Sequence, residues 1–270
     1  MSARPDDALL HEQVPKMLAH AGAIALRFYR SGNLDLHNKE EDPALDYDPV
    51  TAADIDIEQY IRGALAELTP HYGFSGEESG GEISPGYCWI LDPIDGTRSF
   101  VAGVPVWGTL LGLLLDGAPQ FGWCLQPFTD ELYYGDGTVS TLRHSGTTRT
   151  LRVSGEGRLE RACMASTYPQ GLDAFCGGAE GDWARLDQAV RINRFGTDCY
   201  GYCMVACGQL DIQIDGNLKP FDILPLAPIV RGAGGVLTDR FGNEELNHHT
   251  AIAAASPQLH EAVLHFLDSA

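Results

Sequence analysis

The run Trp89-Ile90-Leu91-Asp92-Pro93-Ile94-Asp95-Gly96-Thr97 leads an apolar strand into two closely spaced carboxylates. Pro93 lacks the N–H that a continued ladder would use, and Gly96 tolerates a backbone angle that other residues avoid, so the strand is expected to end there in a turn. Such a turn can present Asp92, the Ile94 carbonyl and Asp95 to one or two hard cations, which take oxygen ligands. Gly96 and Thr97 then offer backbone N–H groups, and Thr97 a hydroxyl, to an anion held by the same cations. Taken alone, the segment reads as readily as a polar β-turn.

Three other stretches carry acids beside turn residues. Glu77 and Glu78 follow Gly76 at the end of a short apolar run, about 15 residues before Asp92. The segment Asp48-Pro49-Val50-Thr51-Ala52-Ala53-Asp54 sets a turn, a hydroxyl and an acid at a helix start. Lys219-Pro220-Phe221-Asp222 does the same later, where a Pro in the first turn suits a helix N-terminus. Asp54 and Asp222 each also fit a plain helix N-cap.

The elements that must position these groups follow from periodicity. Apolar residues recur at helical spacing over residues 8–30, with Pro15 expected at the start or at a kink, and again at Ile57, Tyr60, Ile61, Ala64, Leu65 and Leu68. Between them lies an Asp-rich loop, residues 31–49. Strands are expected over 87–91, 107–115, 120–126, 147–153, 162–166, 211–215 and 235–238, with Asp116-Gly117 closing a hairpin and turns at Asp130-Glu131 and Asp136-Gly137. Helices are expected over 182–190, 197–208 and 222–232, and from Pro257 onward. Strands and helices mix throughout, giving an α/β or α+β layered fold. No linker divides the chain, so residues 1–270 read as one unit whose two packed halves meet near 140–155.

Composition narrows the partners. Eighteen Lys and Arg stand against 37 Asp and Glu, a formal charge of −19 that repels nucleic acid and anionic membranes alike. No apolar run approaches the roughly 20 residues of a membrane span, and the first ten residues have no targeting pattern, so a cytoplasmic chain is expected. Seven Cys without a C-x-x-C pair fit reduced thiols.

Together, Gly76-Glu77-Glu78, Asp92-Pro93-Ile94-Asp95-Gly96-Thr97 and Asp222 followed by Gly234-Gly235 resemble the motifs of the inositol monophosphatase family of Mg²⁺-dependent phosphatases. The resemblance spans about residues 48–239. It implies a layered α-β-α-β-α sugar-phosphatase fold, a homodimer, two or three Mg²⁺ per site and a small-molecule phosphate monoester as substrate. It places Glu77, Asp92 and the Ile94 carbonyl on one ion, and Asp92, Asp95 and Asp222 on a second, with a weaker third held largely by Glu77 and water. Gly96 and Thr97 would bind phosphate. Cations are needed because the ester's own negative oxygens repel a nucleophile. A water held by Glu77 and Thr97 would attack phosphorus in line, with Asp54 hydrogen-bonded to Thr97 behind it, while the second ion stabilises the leaving alkoxide.

Within the family, Leu218-Lys219-Pro220-Phe221-Asp222 resembles the branch that hydrolyses L-histidinol phosphate in histidine biosynthesis, where inositol-specific members usually have Trp before the acid. Residues 98–109 and 194–200 resemble that branch too. Asp198 and Asp215 would line the substrate side together with Asp95 and Asp222, and extra carboxylates suit an alcohol that carries an ammonium and an imidazole. The alternatives are a phosphatase of inositol phosphate, another polyol phosphate or nucleotide-derived bisphosphates, and a non-catalytic metal-binding homologue. The complete set Glu77, Asp92, Asp95, Thr97 and Asp222 speaks against the last. Cys199, Cys203 and Cys207 share one helix face and are expected as buried core residues, as are Phe100 and Trp107. His248-His249 is expected as a loop pair, because Mg²⁺ prefers oxygen. The roles of Lys39, Arg191 and Arg194 stay open at this level.

Overall fold

The computed structural model describes residues 6–32, 36–38, 49–168, 182–246 and 249–268. Helix α1 (Asp7–Phe28) is started by Asp6, whose carboxylate accepts from the Ala8 N–H at 3.0 Å. Leu10, Val14, Met17, Leu18, Ala21 and Ala25 form its buried face at spacings of three and four. Pro15 lies inside this helix and does not start it. The expected loop after it contains a short antiparallel pair, β1 (Leu36–Asn38) with β2 (Pro49–Thr51). Lys39, Asp48 and His248 lie outside the described residues. Helix α2 (Ala52–Leu68) buries Ile57, Ile61 and Leu65.

Both helices cover one face of a seven-stranded sheet in simple sequence order: β3 (Gly73–Gly76), β4 (Tyr87–Asp95), β5 (Gly108–Leu115), β6 (Ala118–Gln126), β7 (Glu131–Gly135), β8 (Ser140–His144) and β9 (Thr147–Thr150). Only β3 and β4 run parallel. Strand β4 does not stop at Pro93. It continues to Asp95 through an irregularity, pairing Asp92 with Leu110 and Asp95 with Gly108. Proline is tolerated where the ladder is interrupted, and the Thr109 hydroxyl donates to the freed Pro93 carbonyl at 2.8 Å. Strands β7 and β8 escape the periodicity reading because turn residues at Asp130 and Asp136 dominate that stretch.

A short helix α3 (Thr97–Ala102) follows β4. The second half holds a five-stranded sheet, in the order β11 (Ile192–Phe195), β10 (Cys163–Ser166), β12 (Ile212–Gly216), β14 (Thr250–Ala254) and β13 (Val236–Thr238). Helices α4 (Asp182–Ala189) and α8 (Pro257–Asp268) lie on its outer face, where Leu186, Leu259 and Val263 pack on Met164, Ile212, Ile214 and Ile252. Between the sheets sit α5 (Asp198–Ala206), α6 (Pro220–Ile223) and α7 (Ala227–Gly232), with Tyr202, Cys203 and Ile229 against Ile90, Leu110 and Tyr133. The layers therefore run α-β-α-β-α. The expected single helix 222–232 is two helices, broken around Pro225, which cannot continue an i to i−4 ladder.

One contact fixes how the middle layer meets the first sheet. Gly112, Gly122 and Gly135 are cross-strand neighbours on β5, β6 and β7. A Cβ on Gly122 would lie 1.8 Å from the Pro225 carbonyl oxygen, and one on Gly135 would lie 2.4 Å from that of Pro228. The row is bare because backbone from 225–229 lies directly on it.

Candidate active site

The acids gather where the two sheets converge. Parallel pairing of β3 with β4 matches Gly76 to Leu91, so the next residues, Glu77 and Asp92, emerge side by side, and their carboxyl groups are in hydrogen-bond contact. The irregularity in β4 turns Asp95 toward the same point, and α6 brings Asp222 from the middle layer. Carboxylate oxygens of Asp92, Asp95 and Asp222 lie within 4.8 Å of one another. Asp92 is 1% exposed, and burial first, then the charges of Glu77, Asp95 and Asp222, hold its carboxyl well above the usual range. Asp95 is raised likewise by burial, Asp222 and Asp198.

Asp222 stands three residues into its turn and is not the cap: one oxygen accepts from the Lys219 N–H at 2.7 Å. Burial is the main cause that lifts it to about 7. Asp54 occupies the corresponding place in α2, where Thr51 is the cap, and one Asp54 oxygen accepts from both the N–H and the hydroxyl of Thr51, at 2.8 and 2.7 Å. The Asp54–Thr97 hydrogen bond implied by the resemblance is absent. The single Thr97 hydroxyl proton goes to the Ile94 carbonyl at 3.0 Å, a local bond three residues back, while Asp54 is held by its own cap.

Do these residues fit divalent cations? The donors are hard oxygens. Oδ1 of Asp92 and Oδ1 of Asp54 are buried without a hydrogen-bond partner, a costly state for a polar atom unless a cation or a proton satisfies it. The set fits.

Gly96 sits at φ +78°, which only glycine adopts readily, and a Cβ there would fall 2.9 Å from the Asp198 carboxyl. Asp198 itself is held at φ +43°, a strained angle for an ordinary residue. One of its oxygens accepts from the Ser99 hydroxyl at 2.5 Å, and the next residue's amide, Cys199 N–H, donates to Asp95 at 2.7 Å. The start of α5 thus clamps the Asp95-Gly96 turn. Asp198, Asp215, Asp95 and Asp222 line one cavity of about 120 Å³ with Thr167 and Tyr202. Asp215 is fully engaged by protein, one oxygen taking the Thr167 N–H at 2.6 Å and the other Gln213 Nε2 at 2.7 Å. Asp198 takes its one side-chain hydrogen bond among the described residues from Ser99, the Arg98 charge also acts on it, and burial outweighs both to raise it to about 6.

The inositol monophosphatase family model matches residues 12–269. The chain belongs to the inositol monophosphatase family. A histidinol-phosphatase of Mycobacterium tuberculosis is 35% identical, covering 94% of this chain and 97% of that protein. A chloroplastic bifunctional phosphatase of Arabidopsis thaliana is 33% identical over 94% of this chain and 74% of its own length. Among solved structures, an inositol monophosphatase from Zymomonas mobilis matches with a TM-score of 0.80 at 29% identity, covering 99% of this chain and 100% of that one. As a member of the inositol monophosphatase family, the chain is a phosphatase, and metal dependence is general in the family.

Several residues outside the acid cluster take the places that sequence reading assigned to them. Phe100 and Trp107 are fully buried, and Cys199 and Cys203 are core residues, whereas Cys207, expected to be buried with them, is only half-buried at the end of the helix. His249 Nδ1 lies 2.7 Å from the Leu218 carbonyl. Arg191 reaches Cys163, and Arg194 bonds the Asn193 carbonyl, so among the described residues neither is in the acid cluster. No helix of the described residues is long and apolar enough to cross a membrane. Two residues near the site were missed. Ser99 falls in the 98–109 stretch that resembles the histidinol-phosphate branch, with no role of its own read from the sequence. Glu58 was visible only as an acid one turn beyond Asp54.

Proposed function

We propose that this phosphatase hydrolyses L-histidinol phosphate, with Mg²⁺ held by Glu77, Asp92, the Ile94 carbonyl, Asp95 and Asp222. The observation that carries the reading is the acid-lined cavity beside the Asp92–Asp95–Asp222 cluster, where one Asp198 oxygen accepts no hydrogen bond among the described residues, although the Arg98 charge acts on the group. Divalent cations bound there supply charge neutralisation and Lewis acidity. The chain does the rest. Gly96 and Thr97 present their N–H groups to phosphoryl oxygens. Thr97, whose hydroxyl donates its hydrogen bond to the Ile94 carbonyl, accepts from a water, and with Glu77 it orients that water for in-line attack. Asp54, close enough to feel the charges of Glu78 and Glu77, stands behind the same corner. Assembly as a homodimer and a cytoplasmic location belong to the same proposal.

The substrate reading rests on charge. A cationic alcohol in the cavity pairs with Asp198, and Asp215 shapes the wall. Replacing Asp198 by Asn should remove a charge-assisted contact worth about 1.5–3 kcal/mol, or roughly tenfold to a hundredfold in kcat/KM for histidinol phosphate. Inositol phosphate, whose alcohol is neutral, should lose much less. Asp215→Asn should impair both substrates, since it disturbs Thr167 and Gln213. Steady-state kinetics on the two phosphates decides the matter: equal losses for Asp198→Asn on both would reject charge selection, and preferential hydrolysis of inositol phosphate by the wild type would reject the substrate.

A further inference from the structure

Glu58 lies on α2 one helical turn after Asp54 and is 3% exposed. Such a buried carboxylate normally needs a cation or several donors. Its donors are two backbone amides: Oε2 accepts from Glu78 N–H at 2.9 Å, and Oε1 accepts from Ser79 N–H at 2.6 Å. The residue before Glu77 leaves room for it. A Cβ on Gly76 would lie 2.5 Å from the Glu58 carboxyl carbon, so only glycine allows the chain to pass so close. On the other side, Glu77 N–H donates to the Leu91 carbonyl at 3.1 Å, and Gly76 N–H to the Gly80 carbonyl at 3.1 Å.

We infer that Glu58 is a positioning residue for the metal site: its carboxylate grips the two amides that follow Glu77 and so sets where the Glu77 side chain stands beside Asp92. The inference rests on reading Glu77 as a cation ligand. Glu77 is carried by a tight turn, not by a regular element, and three of the turn's anchors are seen among the described residues. Two are ladder-like bonds to the sheet and within the turn. The third is the charged, two-oxygen grip from α2, the strongest type of hydrogen bond among them. Loosening that grip lets Glu77 swing while Asp92, Asp95 and Asp222 stay in place.

The probe is Mn²⁺, with binding measured by loss of the free-ion electron paramagnetic resonance signal, in the absence of substrate. Glu58→Gln keeps an acceptor for one amide but turns an NH₂ toward the other. It should weaken binding at one site by tenfold or more and shift the cation concentration for half-maximal activity by a like factor, with kcat largely restored when the cation is raised. Glu77→Gln, measured alongside, separates the two ideas. Unchanged Mn²⁺ binding in Glu77→Gln would refute the ligand reading. Weakened binding in Glu77→Gln with wild-type binding in Glu58→Gln would overturn the positioning role and leave Glu58 a purely structural group. Should Glu58→Gln not fold, Glu58→Asp, which keeps the charge but withdraws it by one methylene, is judged by the same two results.

Discussion

Asp92→Asn is expected to lower turnover by on the order of 1,000-fold or more, while leaving the chelated protein at least as stable as the wild type. The two effects have one cause. Asp92 sits at the centre of the cluster, almost fully buried, with Glu77, Asp95 and Asp222 all opposing its ionisation. An amide reproduces the neutral carboxylic acid in shape and removes one charge from a group of like charges, so the metal-free fold gains or is unchanged. The same amide is a poor ligand for a hard cation. Activity assays together with thermal unfolding in EDTA at pH 8 test the pairing. A variant that loses activity and also melts well below the wild type would show that Asp92 is needed for folding instead.

The second expectation concerns pH. Burial lifts both Asp54 and Asp222 from an ordinary 3.8 to about 7. The folded, metal-free chain therefore keeps protons between about pH 4 and pH 7 that the unfolded chain has released. Stability contributed by these groups is fully present below the unfolded value and is lost as pH rises through the folded one. In EDTA the Tm should fall from pH 5 to pH 8, on the order of 10 °C if the two groups together cost a few kcal/mol. Saturating Mg²⁺ should flatten the fall, because cations bind the deprotonated carboxylates and only in the folded state. Differential scanning calorimetry across that range, with chelator and with Mg²⁺, gives the result. A Tm in EDTA that holds constant or rises with pH would contradict the burial of these carboxyls.

Much of the candidate site was legible because its residues are local in the sequence. Asp92, Ile94, Asp95, Gly96 and Thr97 fall within six residues, and Gly96 is there for a backbone angle that the letter itself announces. Glu77 and Asp222 stand beside turn residues that mark them. Most of the failures come from contacts made at a distance. Pro93 was read as the end of a strand, whereas the irregularity and Thr109 let the strand pass through it. Asp54 was assigned to Thr97 by resemblance, while its own cap residue, three positions away, holds it. Glu58 acts on amides 20 and 21 residues further along, and Ser99 on an acid 99 residues away. No periodicity encodes such pairs. The five-stranded sheet was partly missed for a related reason: β14 reads Thr250-Ala251-Ile252-Ala253-Ala254, small residues wedged between two helical layers, with little of the branched bulk that signals a strand.

The glycine row on the first sheet sets a tolerance for the acid cluster. Asp222 is three residues before Pro225, and Pro225 rests on bare backbone at Gly112 and Gly122. The height of the third acid above the sheet is thus referenced to peptide planes, which do not change rotamer, thin out or swell. That makes the reference rigid, and it makes it unforgiving. One methyl group at Gly122, a position outside the acid cluster, has nowhere to go but into the Pro225 carbonyl, 1.8 Å away, and the displaced backbone would carry Asp222 with it. Misplacing a reacting geometry by about 1 Å can cost a hundredfold in rate. Positions where the smallest side chain is fatal therefore extend well beyond the residues that touch substrate, along the line by which the middle layer is gauged against the sheet.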